Sequence, residues 1–159
     1  DDLLQELRFA TMAAMPKAAH MVSGHLQGTL LELVCRMVNA RAVLELGTFT
    51  GYATLRLAAA VDENDGRVTT VEVDPNAAAF AQSFFARSGL EQRIQVHVGN
   101  AQEVIHDPAR IQGVYDVVFI DADKRKYTEY YDTLFARNLV APGSIIIVDN
   151  VLWKGRVVG

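Results

Sequence analysis

The sequence predicts an α/β domain built on a parallel, doubly wound sheet. Three observations carry that expectation. Five short β-branched runs, at 42–46, 68–73, 94–98, 115–121 and 144–149, alternate with helical stretches at about 51–61, 75–88, 101–106 and 125–138, the spacing of right-handed βαβ crossovers. The runs VVFI and SIIIV are apolar on both faces, as in strands covered by helices on each side. Gly47 and Gly51 fall where the first strand passes into a helix, a place where a bare backbone can approach a ligand closely.

A chain of 159 residues is long enough for one domain with a sizeable core. The expected division is a single domain over 1–159, with N-terminal helices in 1–40 and the α/β core in 41–159. Half of the residues are hydrophobic and 21% are charged, an ordinary globular profile. The net charge of -4 and the scattered basic residues argue against nucleic acid as a partner, which calls for a concentrated basic face. No run reaches the roughly 18 apolar residues needed to cross a bilayer. The opening DDLLQEL has neither a methionine nor a basic-then-apolar leader, so a targeting segment would lie outside it and a cytoplasmic setting is the default. Cys35 is the single cysteine, which excludes an intrachain disulfide or a cysteine zinc cluster. Within LLELVCRMV it reads as a packed thiol.

Each element has its own signals. Leu3, Leu4, Leu7, Met12 and Met15 recur at loosely helical spacing until Pro16 interrupts. Val22, Leu26, Leu30, Leu33, Val34 and Met37 then form one apolar stripe at three- and four-residue intervals. Asp74 is an N-cap candidate ahead of Pro75, and Gly89 suits the left-handed end of the same helix. APG at 141–143 is a turn that launches the last strand.

Open parallel sheets bind ligands beyond the carboxyl ends of their strands, at the switch in strand order. The residues there are Glu45 and Gly47, Glu72, Gly99 to Ala101, Asp121 to Lys124, and Asp149 with Asn150. Gly47 and Gly51 are not the G-x-G-x-x-G of a nicotinamide-binding turn; ligand binding and plain strand–helix packing both fit them. A carboxylate at Glu72 can accept hydrogen bonds from both hydroxyls of an adenosine ribose, although a solvated strand-end acid reads the same way. Taken together, they point to a nucleoside-containing cofactor. Asp121, Asp149 and Asn150 offer only oxygen ligands, suited to magnesium, calcium or manganese rather than zinc. They can meet if the fourth and fifth strands are neighbours; helix caps and loop hydrogen bonds are the alternative.

Four segments, LELGTFTGY (44–52), VEVDP (71–75), FIDADKRKYTEYY (119–131) and IIIVDNVLWKGRV (145–157), resemble the cation-dependent S-adenosylmethionine O-methyltransferases. These are the catechol and caffeoyl-CoA O-methyltransferase family, and the D-A-D-K and D-N-x-L-W-x-G patterns lean toward the caffeoyl-CoA-like branch. The resemblance implies a Rossmann-like class I methyltransferase sheet, here ending at Gly159 before the family's C-terminal antiparallel strand pair.

It also implies residue roles. Gly47, Thr48 and Phe49 would line the methionine and sulfonium part of S-adenosylmethionine, with Glu45 beneath them and Ala53 at a position often held by serine. Glu72 would hold the ribose diol, Val73 would pack near the adenine, and Asn100 and Ala101 would meet the adenine edge through their backbone. Met21 and Ser23 match a segment that folds over the cofactor. Asp121, Asp149 and Asn150 match the ligands of a divalent cation, magnesium first and calcium or manganese next, with Asp121 also facing the cofactor. Lys124 matches the general base, and beside the cation and partly desolvated it is expected to have a depressed pKa. Asp123 and the stretch after Trp153, including Lys154, would face a small aromatic diol.

Lys154 and Arg156 depart from the plant branch; the basic pair fits an acidic or CoA-linked acceptor, or plain exposure to solvent. A homodimer is the expected assembly. A nicotinamide-dependent oxidoreductase and a cofactor-binding protein without activity are the alternatives from other classes.

Overall fold

The computed structural model describes residues 2–63, 65–152 and 155. Helix α1 spans Asp2–Ala14 and α2 spans His25–Met37. Then β1 (Ala42–Leu46), α3 (Tyr52–Asp62), β2 (Arg67–Glu72), α4 (Pro75–Ser88), β3 (Ile94–Val98), α5 (Ala101–His106), β4 (Val117–Ile120), α6 (Tyr127–Ala136) and β5 (Ile145–Val148) alternate. The five strands form one parallel sheet in the order β3-β2-β1-β4-β5. The doubly wound expectation therefore holds, and the switch in strand order lies between β1 and β4. Asp74 caps α4 by accepting the Asn76 N–H at 2.8 Å, Pro75 opens the helix, and Gly89 closes it at φ 76°. β4 begins later than its β-branched run because Tyr115 turns aside to donate its N–H to the Leu139 carbonyl at 2.9 Å.

Period-two alternation divides the core. Leu44, Leu46, Val118 and Ile120 point to the face covered by α5 and α6, against Val104, Ile105, Tyr130 and Leu134. Val43, Val117 and Phe119 point to the other face, against Leu57, Ala58 and Val61 of α3 and Leu31 and Cys35 of α2. Burial pushes the Cys35 thiol up to about 12, which makes it a packing group rather than a nucleophile. A Cβ on Gly28 would stand 2.9 Å from both Arg56 and Tyr52, so α2 lies directly on α3. The buried face of α2 is Gly28, Leu31 and Cys35. Four residues of the apolar stripe read from the sequence, Leu26, Leu30, Leu33 and Met37, face outward instead, Leu26 being 84% exposed and Met37 73%, while Val22 packs against the core.

Backbone pairing continues one residue past the strand ends. The N–H groups of Gly47, Gly99, Asp121 and Asp149 donate to the carbonyls of Val71, Glu72, Leu46 and Ile120, at 2.9, 2.8, 2.8 and 3.0 Å. These bonds fix the loops that follow β1, β3, β4 and β5. Gly47 has φ 103°, and a Cβ there would overlap the Asp121 carbonyl group. Gly143 has nearly the same φ, 101°, with open space where a Cβ would go.

Below this turn, Glu45 is fully buried. Its Oε2 accepts hydrogen bonds from Thr54 at 2.5 Å and Thr70 at 2.6 Å, while Oε1 has no partner. Since Thr70 donates to Glu45, its 2.5 Å contact with the Thr48 hydroxyl must use a proton from Thr48. Burial raises the Glu45 pKa to about 8, against the lowering effect of Thr54 and Thr70 and with the help of the Asp121 and Glu72 charges.

Two outcomes follow for stability. Gly143→Ala should cost only the conformational penalty of a left-handed residue, about 1–2 kcal/mol. Gly47→Ala adds a backbone clash and should cost clearly more in urea unfolding; equal costs would show that the close approach to Asp121 is unimportant. For Glu45, folded and unfolded chains both hold its proton below the ordinary value of 4.5, and neither holds it above about 8. Between those values the folded state binds the extra proton, so stability falls as pH rises, by at most about 1.4 kcal/mol per pH unit. Glu45→Gln should remove that slope. The difference in unfolding midpoint between wild type and variant should then move in the variant's favour from pH 5 to pH 8, whereas a constant difference would mean that Glu45 folds ionised.

Candidate active site

A cavity of about 1200 Å³ opens over the strand ends at the switch point. One wall is the β1–α3 turn. Phe49 sits there at φ 49°, an uncommon conformation for an aromatic residue, and it turns its N–H toward Glu72 Oε2 at 2.7 Å. The Asp74 N–H holds the other oxygen, Oε1, at 2.9 Å. Two backbone donors thus fix the Glu72 carboxylate at the end of β2, and each oxygen keeps a lone pair for a further donor. Asn100 caps α5, its Oδ1 accepting the N–H groups of Gln102 at 2.9 Å and Glu103 at 3.4 Å. Its side-chain oxygen is therefore engaged, which leaves its backbone and that of Ala101 to face a ligand.

The structure brings nearly all of the expected residues to this one cavity. Met21, Ser23, Gly47, Thr48, Phe49, Ala53, Glu72, Val73, Asn100, Ala101, Asp121, Asp123, Lys124, Asp149 and Asn150 all line it. Glu45 does not. It acts from beneath the turn, through Thr70 and Thr48. Lys154 lies outside the described residues.

At the far end of the cavity, β4 and β5 run side by side with Ile120 opposite Val148, which sets Asp121 beside Asp149. Lys124 Nζ donates to Asp121 Oδ1 at 2.9 Å and to the Tyr127 hydroxyl at 3.2 Å. Asp149 Oδ1 accepts the Asn150 N–H at 2.7 Å, and its Oδ2 accepts the Gln27 amide at 3.0 Å. Burial raises the Asp121 pKa; Lys124 pulls it back, and the neighbouring Asp149 pushes it up again. Two half-buried carboxylates that repel one another, with an amide beside them, form an oxygen-only donor set that fits a hard divalent cation. Among the described residues no group of three histidine, cysteine, aspartate or glutamate side chains could hold a metal ion; the set here is two acids and an amide.

Lys124 and Asp123 each carry protein partners of their own. Without a cation, the Lys124 pKa is set by its protein neighbours. Burial lowers it, but the hydrogen bonds and charge of Asp121 and the Tyr127 hydroxyl outweigh burial and carry it above the ordinary lysine value. Asp123 faces the cavity, yet Arg125 grips its carboxylate at 2.7 Å and its Oδ1 caps the turn through the Arg125 N–H at 3.1 Å. These contacts hold its pKa down at about 2 and make it a structural acid first. Gln27 and Tyr127 were not singled out in the sequence. Gln27 is one of several polar residues on α2, with His25, Thr29, Glu32 and Arg36, so nothing marked it out, and nothing marked the hydroxyl of Tyr127.

The comparisons with known proteins agree with this geometry. The family model described as O-methyltransferase matches residues 1–159. A catechol O-methyltransferase of Niastella koreensis is 40% identical over 160 residues, covering 99% of this chain and 69% of its own length. A caffeoyl-CoA O-methyltransferase of Stellaria longipes is 36% identical over 157 residues, covering 97% of this chain and 63% of its own. The chain thus spans about two thirds of the length of these relatives. Among solved structures, an O-methyltransferase of Bacillus cereus in complex with SAH superposes with a TM-score of 0.90 at 33% identity, over 99% of this chain and 70% of its own. With the strand order, the fixed Glu72 carboxylate and a full-length family match all in agreement, the chain belongs to the O-methyltransferase family.

Proposed function

We propose that the protein transfers a methyl group from S-adenosylmethionine to a hydroxyl of a catechol-like aromatic diol, with the help of a divalent cation. One observation carries the reading: Asp121, Asp149, Asn150 and Lys124 meet at one end of a cavity whose other end holds Glu72. About 1200 Å³ exceeds the ~300–1,000 Å³ of a typical single-ligand pocket, leaving room for a nucleoside cofactor and an acceptor together. The relatives named for catechol and caffeoyl-CoA substrates support an aromatic acceptor.

S-adenosylmethionine supplies a methyl group on an electron-poor sulfur. Asp121, Asp149 and Asn150 would hold a divalent cation, whose charge would fix a vicinal diol and lower the pKa of its attacking hydroxyl. Magnesium suits these ligands best, with calcium or manganese next. The rest falls to the chain. Glu72 receives the ribose hydroxyls, and Gly47 to Phe49 border the methionine portion. Met21 and Ser23 close over it from the N-terminal side. Lys124 accepts the phenolic proton at Nζ, for which its amine must first be neutral. Because only the neutral amine can accept it, this proton transfer is favoured by rising pH. Positioning of the two reactants supplies most of the rate, and no covalent intermediate on the protein is required.

We also place the protein in a homodimer and in the cytoplasm. Leu26, Leu30, Leu33 and Met37 give α2 an outward apolar face, each more than half exposed, of the kind that protein contacts cover. Among the described residues no helix is long and apolar enough to cross a membrane. The α2 reading requires that Leu30→Glu with Leu33→Glu shift the molar mass in light scattering from dimer to monomer; a wild-type protein that is already monomeric ends it.

Activity is tested with labelled S-adenosylmethionine and a panel of catechols, with magnesium and with excess chelator. Transfer should require magnesium, and Lys124→Ala should lower kcat by about 10²-fold or more, the usual contribution of a general base. Equal transfer in chelator would remove the cation from the mechanism. Binding without transfer to any diol would reduce the protein to a cofactor-binding one.

A further inference from the structure

The two carboxylates at the end of β4 and β5 are held by different kinds of donor. Asp121 is paired with a charged group, Lys124, from the loop that follows it. Asp149 is bonded by a neutral one, the amide of Gln27, from a helix 122 residues earlier in the chain. A carboxylate oxygen can only accept, so the amide nitrogen of Gln27 must face it. Gln27 stands next to Gly28, whose missing side chain lets α2 settle on Tyr52 and Arg56. That seating brings the Gln27 side chain to the strand ends, where it lines the cavity.

We propose that Gln27 is a positioning residue for the cation site, fixing the Asp149 carboxylate and thereby linking cation binding to the docking of α2. The inference rests on the cation reading above. The physical case lies in the donor's neutrality. A cationic donor competes with a metal for its carboxylate, because both are drawn to the same charge. An amide adds no positive charge, so it can keep one carboxylate oxygen oriented while the group's charge stays available. Outer partners that orient a metal-binding carboxylate are typically worth ~10–100-fold in affinity. By linkage, whatever the Gln27 bond adds to cation binding, the cation adds to the hold on α2.

The test uses Gln27→Met, which keeps the length and loses the donor, and Gln27→Ala, which loses both. Mn²⁺ serves as the probe, read by electron paramagnetic resonance, with SAH binding as the check that each variant is folded. Mn²⁺ affinity should fall about 10–100-fold in both variants, while SAH affinity measured without metal stays within about twofold. In wild type, Mn²⁺ should slow amide hydrogen exchange across His25–Met37; in the variants it should not. Variants that bind Mn²⁺ as tightly as wild type, or in which the metal still protects α2, would overturn the role of Gln27. A wild-type protein that binds SAH but no Mn²⁺ would overturn the cation reading and this inference with it.

Discussion

The site depends on how closely the turn after β1 approaches the end of β4. Asp121 donates its N–H to the Leu46 carbonyl at 2.8 Å, and Gly47 packs against the Asp121 carbonyl where no Cβ fits. Backbone therefore lies against backbone at the switch point, and the side chains of Thr48, Asp121 and Lys124 are raised around the contact rather than inserted in it. Gly47 donates in turn to Val71, just before Glu72, and Asp149 donates to Ile120. The Glu72 end and the Asp121–Asp149 end of the cavity are thus tied through a continuous row of main-chain bonds. Moving one strand end would displace both halves of the site.

Beneath that row, the chain buries an acid. Glu45 lies directly opposite Thr70 in the β1–β2 register, and its burial would be costly if it were ionised. Kept protonated by its surroundings, it still accepts from Thr54 and Thr70, and it orders the hydroxyls so that Thr48 gives its proton inward. The Thr48 oxygen is then left as an acceptor at the cavity wall. A threonine turned by solvent alone could present either its proton or its lone pairs; this one is committed by a buried group that itself never meets a ligand.

Much of this was legible in the sequence, because in a parallel sheet the chemistry follows immediately after each apolar run. Glu72, Asp121 and Asp149 could be placed by position alone, and their neighbours in space followed once the strand order was known. What could not be read were relations that cross the chain. Two apolar arcs run along α2, and hydropathy favoured the one with larger side chains. The face that packs is Gly28, Leu31 and Cys35, chosen by close approach rather than by hydrophobicity. The partners of Lys124 likewise could not be read: its 2.9 Å contact with Asp121 depends on how the loop after β4 folds back on the strand end. Gln27 was hidden for the same reason, its partner being at the opposite end of the chain.

The unequal treatment of the two carboxylates follows from their crowding. Two acids at adjacent strand ends, both partly withdrawn from water, repel one another, as the upward push of Asp149 on Asp121 shows. One ammonium relieves part of that repulsion but leaves the cluster short of positive charge. A second lysine in place of Gln27 would complete the neutralisation, and would also remove the reason for any cation to enter. An amide avoids both extremes. It satisfies one lone pair of Asp149 and ties down α2, while the residual negative charge remains at the end of the cavity where an acceptor hydroxyl would be held.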